Sequence, residues 1–252
     1  MKQFNTYEEV HVMDLRRLKF CIGLIALILT TGLVFNDSAQ AGRKYLLRSY
    51  FPLSEGITWN YLQVYLDGTN TRNYEISCVG GTEVVDGKKT IKFFEFDSGS
   101  ISGSNFEYDY ECKAWSSLGL KTYKVVCSDG SYRIFDPPVL SFPLTMGLGD
   151  TFKHTSTCDE YDSAGNFLYS SNFTIHLTLE KEEVITVKAG TFNCLKFSGW
   201  ELDEGVESNL DIWLARKIGE VFRKYSDGSG GLIEKRGLIS FTNGHFTYCP
   251  DD

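Results

Sequence analysis

Three residues that could support nucleophilic or metal chemistry lie on either side of a predicted turn. A hairpin turning at residues 163–166 would bring His154 and His176 close together, with Cys158 two strand alternations away. A thiol beside an imidazole can act as a nucleophile or a metal ligand. The alternative is a surface histidine and a disulfide-bonded cysteine. We favour it because cysteines of exported proteins are usually oxidised.

Two groups of carboxylates could also act on a substrate or an ion. Glu107, Asp109 and Glu111 could supply the acid and base of a sugar hydrolase, but they alternate with aromatic residues, as on the solvent face of a strand. The acidic residues at 159–162 lack the spacing of a twelve-residue calcium loop, which favours an ordinary hairpin tip. The sequence has no Gly-x-Ser-x-Gly motif and no phosphate-binding glycine loop. We therefore predict no catalytic residue, no metal and no cofactor.

A predicted strand at 58–66 is apolar on both of its faces. Trp59, Tyr61 and Tyr65 share one face, because side chains of a strand alternate with a period of two. This pattern fits an ordinary β core, which favours aromatic residues. It also fits a concave face that holds a lipid or other apolar ligand. We predict these three aromatic residues as candidate ligand-binding residues.

Six of the seven cysteines remain after an apolar segment that contains Cys21. An even number of cysteines in an oxidising compartment predicts disulfides, although six cysteines allow 15 pairings. A zinc site is disfavoured because no Cys-x-x-Cys pair is present. The candidates are Cys78, Cys112, Cys127, Cys158, Cys194 and Cys249.

One cysteine pair can be argued from hairpin register. If residues 119–120 form a two-residue turn, Leu118 pairs with Lys121. Cys112 then lies opposite Cys127, close enough for a bridge. A register slip of one residue would remove this match.

The amino-terminal segment predicts export. Basic residues at 16–19 precede an apolar run from Phe20 to Phe35, and Ala39-Gln40-Ala41 follows as a cleavage site. We expect cleavage near Ala41 and an extracytoplasmic protein, periplasmic or secreted, with no membrane span in the mature chain. An uncleaved anchor is the alternative, and Met13 is an alternative start. The net charge of −8 without a basic run disfavours nucleic acid and anionic membranes as partners.

The remaining sequence contains three pairs of matching segments in the same order. We predict a tandem duplication with two similar β halves, at 42–140 and 141–252, that make one compact unit. Three of the five prolines, in the stretch 137–143, mark the seam as a connector or an edge. The matched segments are Phe51-Pro52-Leu53 with Phe142-Pro143-Leu144, Glu83-Val84-Val85 with Glu183-Val184-Ile185, and Leu118-Gly119 with Ile218-Gly219.

The predicted elements are strands throughout. Period-two alternation and repeated Asp-Gly turns, such as Asp86-Gly87, predict hairpins, and helical periodicity is absent after residue 41. The predicted fold is all-β, with antiparallel hairpins in two similar tandem halves. The halves would form one extended twisted sheet, a half-barrel or a sandwich.

The second half resembles the TapB-like exported bacterial proteins and related domains of unknown function. The similar stretches are 142–151, 187–192 and 213–221, while Lys188 and Arg216-Lys217 stand where that family often has proline. The resemblance implies a β-rich extracytoplasmic fold and transfers no catalytic residue.

These observations favour a non-enzymatic protein of the periplasm or cell envelope with a binding or structural role. The alternative is a carrier of a lipid or other apolar ligand in a β half-barrel, and a hydrolase is a remote third. Envelope proteins or an apolar ligand are the expected partners.

Overall fold

The computed structural model describes residues 42–65, 71–97, 108–243 and 247–248. Of these, it describes the backbone alone at 65, 71–80, 95–97, 108–109 and 247–248. Residues 41–252 belong to one compact unit. The predicted signal segment and its cleavage site lie outside the described residues. No helix in the described ranges has the length and apolar character needed to cross a membrane.

Strands make up almost all of the described chain, and one 3-10 helix (Leu47–Ser49) accompanies them. The predicted all-β, antiparallel class is confirmed. The strands are β1 (Lys44–Leu46), β2 (Ile57–Tyr65), β3 (Thr71–Val85), β4 (Lys88–Asp97), β5 (Tyr108–Trp115), β6 (Gly119–Val126), β7 (Tyr132–Pro143), β8 (Thr145–Gly147), β9 (Thr151–Tyr161), β10 (Phe167–Val187), β11 (Gly190–Asp203), β12 (Val206–Ala215), β13 (Gly219–Asp227), β14 (Leu232–Thr242) and β15 (Thr247–Tyr248).

One 13-stranded antiparallel sheet contains all strands except β1 and β8, which pair with each other. Its order is β13-β12-β11-β10-β9-β7-β6-β5-β4-β3-β2-β14-β15. β13 also pairs with β14, through Phe222 opposite Gly237 and the residues that follow. The strand at one end of this order therefore pairs with the last strand but one at the other end, and the sheet curves around an interior.

Alternation along the strands fills this interior with apolar side chains. In β12, Leu210, Ile212 and Leu214 are buried on the inner face. The segment before β2 contributes Tyr45 and the fully buried Leu47 to the same cluster. Burial of these side chains stabilises the sheet, because it removes apolar area from water.

Turn chemistry at the hairpins agrees with the sequence. Asp86 and Gly87 connect β3 to β4 with φ angles of 48° and 69°. A two-residue turn with both φ angles positive suits the twist of paired strands and favours Asp-Gly.

The predicted Cys112–Cys127 disulfide is wrong. The β5–β6 turn spans 116–118 rather than 119–120, because the Ser116 hydroxyl accepts the backbone N–H groups of Leu118 and Gly119. This turn, with an irregularity after Cys112, pairs Cys112 with Lys124.

The broader disulfide prediction is also wrong for the cysteines whose side chains are described. Cys112, Cys127, Cys158 and Cys194 form no disulfide. The side chain of Cys78 and the whole of Cys249 lie outside the described residues.

The proline-rich seam lies inside β7 instead of forming a separate connector. β9 pairs with β7 only as far as Asp136, and pairing with β6 is interrupted between Ile134 and Val139. Prolines lack the N–H that a ladder needs, so the interruption falls where they occur. The end of β7 has β6 as its one described partner, in keeping with the predicted edge.

Candidate functional site

The inner face of the sheet lines a partly open cavity of about 420 Å³. This volume lies within the range of pockets that bind small molecules. Side chains from β2, β4–β7 and β10–β14 line it. Its wall is amphipathic: one region is aromatic and aliphatic, and the other carries charged groups.

The apolar region is built from interlocking aromatic rings. Phe51, just before β2, lies 5.8 Å from Phe93 of β4 and 6.1 Å from Phe142 of β7, between ring centroids. Trp59 stacks on Phe93 at 6.0 Å. Leu120 completes this surface. The arrangement offers an apolar ligand a wall of large side chains.

Two of the three predicted ligand-binding residues line this cavity. Trp59 and Tyr61 occupy alternate positions on β2 and are both buried. The Trp59 indole N–H donates to the backbone oxygen of Ile218 at 2.6 Å, and the Tyr61 hydroxyl donates to that of Glu220 at 2.9 Å. These bonds fix both rings against the start of β13. The side chain of Tyr65 lies outside the described residues.

A buried charge network stands beside the aromatic region. Glu220 accepts from the Arg236 guanidinium at 2.6 Å and from Arg223 at 2.6 and 3.1 Å. Burial by itself raises the pKa of Glu220, but the two guanidinium groups outweigh it and lower that pKa. Glu220 therefore stays ionised and holds both arginines in place.

The other basic groups of the cavity are also engaged. Arg133 of β7 pairs with Glu160 at 2.6 Å, Asp203 at 2.8 Å and Glu204 at 3.2 Å. Lys113 of β5 pairs with its neighbour on the same face, Glu111, at 2.6 Å. Both Arg133 and Lys113 therefore already have carboxylates of the protein as ion-pair partners.

Glu201 of β11 is the exception among the charged residues of the cavity. Within the described part of the chain its carboxyl has no hydrogen-bond or ion-pair partner. Burial raises its pKa to about 7; Arg223 opposes this rise, and Asp203 and Glu111 add to it. Glu201 thus changes charge near neutral pH, inside the cavity.

The position of Glu111 corrects one sequence interpretation. Glu111 lines the cavity together with Lys113, whereas the sequence pattern predicts that Glu111 faces water. The alternate residues Cys112 and Ala114 pack on the opposite side of the sheet against Val85. The sequence pattern places the apolar face of β5 toward the interior, but this face packs in a separate apolar cluster on the opposite side of the sheet. The side chains of the other two hydrolase candidates, Glu107 and Asp109, lie outside the described residues.

The histidine–cysteine hypothesis is not supported by the strand faces. His154 lies opposite Ile175 in the ladder, whereas His176 lies opposite Lys153 and so on the other face. His176 stacks on Trp200 at 5.3 Å. Cys158 is buried in the main core, and burial raises its pKa to about 11. Its thiol is therefore a poor nucleophile.

The acidic hairpin tip makes internal hydrogen bonds. Asp162 accepts the backbone N–H groups of Ala164 and Asn166, which shapes the turn. Asp159 accepts from the Ser170 hydroxyl at 2.5 Å. No group of three or more metal-ligating side chains occurs among the described residues.

Sequence reasoning missed the charged part of the cavity. Glu201 and Asp203 continue the inward alternation that starts at Leu195 and Phe197 on β11. This period-two pattern was the available signal. Alternation alone does not show that the inward-facing positions near the end of β11 are polar, because their burial and ion pairing depend on residues from distant strands.

Comparisons with known proteins give weak similarities. No protein-family model matches the chain, and no curated protein matches it. A Parabacteroides distasonis protein, provisionally described as a lipoprotein, is 16% identical with a TM-score of 0.44; the alignment covers 77% of this chain and 98% of that one. A Bacteroides fragilis protein, provisionally described as an exported protein with a YmcC-like fold, is 15% identical with a TM-score of 0.44, over 77% and 99%. Similarity at this level assigns no family, and the TapB-like resemblance stays a prediction.

Proposed function

We propose that this chain is an exported, non-enzymatic protein of the cell envelope that binds an amphipathic ligand inside its sheet. The cavity of about 420 Å³ with an aromatic region and a charged region carries this proposal. Binding pockets are typically mostly apolar with a few placed polar groups. The predicted signal segment and the TapB-like resemblance support export.

A binding role fits the chemistry of the cavity better than hydrolysis does. The described carboxylates of the cavity other than Glu201 are held by arginine or lysine, as in the Glu111–Lys113 pair at 2.6 Å. An ion-paired carboxylate is a weak general base, because pairing stabilises its charged form. Within the described part of the cavity, Glu201 therefore lacks the second free carboxylate that glycoside hydrolysis needs.

Binding can be tested with 1-decanol as an uncharged amphipathic probe. Native mass spectrometry of the protein purified from an exporting host, followed by calorimetric titration, should show a one-to-one complex. The mass of the purified chain also tests cleavage near Ala41.

Val125→Trp, in the cavity wall, should reduce decanol affinity by about tenfold or more, because the larger ring fills the space. Val184→Trp is the matched control, since Val184 is 60% exposed and outside the cavity. A folded protein that binds no decanol, or equal binding by both variants, would overturn the proposal.

A further inference from the structure

The unpartnered carboxyl of Glu201 indicates what kind of polar group the cavity accepts. Arg133 is bound by Glu160 and Asp203, and Arg223 by Glu220. A ligand carboxylate or phosphate would have to displace one of these protein carboxylates. A ligand cation would meet Glu201 without breaking any bond of the protein.

The charged groups around Glu201 are of both signs. Arg223 of β13 has the largest charge effect on its carboxyl but is itself paired with Glu220, whereas Asp203 and Glu111 act on it with like charge. Lys113, Arg133 and Arg236 also line the cavity, and each is in an ion pair with a carboxylate.

An organic ammonium fits this site better than a metal ion. The described residues contain no cluster of three ligands that could hold a metal. Calcium takes six to eight oxygen ligands, whereas one ammonium needs a single carboxylate as its charge partner. The aromatic region, with Trp59, Phe93 and Phe142, would cover an attached apolar group.

We propose that Glu201 is the recognition site for the ammonium group of an amphipathic amine, whose apolar part occupies the aromatic region of the cavity. This inference rests on the proposed ligand-binding function and names its ligand class.

The test compares three probes with the same chain: decylamine, 1-decanol and decanoate. At pH 8 the wild-type protein should bind decylamine at least about tenfold more tightly than decanol, and decanoate most weakly. Glu201→Gln should lower decylamine affinity to about that of decanol, so that the preference for the amine is lost. Glu207→Gln, on the exposed surface of β12, is the control and should keep the preference.

The pH dependence provides a second readout. Because the pKa of Glu201 is about 7, its ionised fraction rises about tenfold from pH 6 to pH 8. Decylamine affinity should rise by a similar factor over this range, while decanol affinity stays flat. Glu201→Gln should make both profiles flat.

The outcomes separate this inference from the function on which it depends. If decanol binds but the amine is not preferred, or the preference survives Glu201→Gln, the ammonium site is wrong and ligand binding stands. If none of the three probes binds folded protein, both proposals fail.

Discussion

At the scale of single residues, the interior charges of this protein differ in how they are compensated. Glu220 is held by two arginines and stays ionised, whereas Glu201 has no such partner and its pKa rises to about 7. Both lie on inward faces of neighbouring parts of the sheet. Compensation, rather than burial alone, therefore decides which carboxylate can change charge.

The raised pKa of Glu201 predicts a pH-dependent cost to stability. The folded chain holds the Glu201 proton up to about pH 7, whereas an unfolded glutamate releases it near its ordinary value of 4.5. Stability from this residue is thus fully present below pH 4.5 and declines as the pH rises to 7. Glu201→Gln should leave stability nearly unchanged at pH 4.5 and raise it by about 3 kcal/mol at pH 8, measured by urea unfolding.

Glu207→Gln serves as the control, because Glu207 is exposed to water. Its unfolding free energy should follow the wild-type curve at every pH. A Glu201→Gln protein that also follows that curve would contradict the raised pKa.

At the scale of elements, the hairpins and their turns position the cavity wall. Gly219, at the start of β13, has a φ of 101°, and a Cβ built there would lie 3.2 Å from the indole nitrogen of Trp59. This glycine lets the β12–β13 turn approach the ring closely, which allows the Trp59 bond to Ile218. The turn therefore supports the aromatic region directly.

Gly219→Ala should destabilise the protein by about 1–3 kcal/mol and lower decanol affinity, through backbone strain and crowding of Trp59. Gly205→Ala is a matched control, since Gly205 also has a positive φ, 82°, but nothing lies within 4 Å of its added Cβ. Gly205→Ala should lose stability through backbone strain alone and bind decanol with the affinity of the wild-type protein. Equal losses in urea unfolding for both variants would rule out the contact with Trp59.

The arrangement of elements also bears on the predicted duplication. Glu83, at the end of β3, binds Lys92 at 3.1 Å and Lys124 at 2.8 Å. At the matching position in β10, Glu183 accepts the Trp213 indole N–H at 2.6 Å and pairs with Lys181 at 3.0 Å. Both glutamates anchor outer-surface networks beside a hairpin turn. The duplication stays a prediction that this correspondence supports.

The sequence predicted strands and tight turns well, because both depend on local patterns. Alternation placed Trp59 and Tyr61 on one face, and Asp86-Gly87 marked its turn. The register of paired strands was harder to predict. The Ser116 hydroxyl shapes the β5–β6 turn through its hydrogen bonds, and an alternation pattern does not reveal such bonds. The sequence also predicted the two faces of β5 the wrong way round, because the apolar face that contains Cys112 packs on the side of the sheet opposite the cavity.

At the scale of the whole molecule, a 13-stranded sheet curves around a mixed apolar and charged interior in the unit formed by residues 41–252. The apolar clusters hold it together without a disulfide among the four cysteines with described side chains. Cys112, Cys158 and Cys194 are buried, and burial raises the pKa of the Cys194 thiol to about 12. Buried, protonated thiols react slowly.

Alkylation with iodoacetamide should therefore depend on folding. In denaturant without a reducing agent, mass spectrometry should detect at least four adducts, one on each of Cys112, Cys127, Cys158 and Cys194. Under native conditions the three buried residues should react far more slowly. Fewer than four adducts in denaturant would show that these cysteines are oxidised in the isolated protein.

The backbone hydrogen bonds of the 3-10 helix at Leu47–Ser49 have a consequence for the order of assembly. Leu47 donates its backbone N–H to Leu144, and the backbone of Ser49 accepts from Lys217 at 2.6 Å. Residues synthesised early thus reach their final places only after much later ones have emerged. Residues 47–49 therefore complete this part of the fold only when the segments that contain Leu144 and Lys217 are both in place.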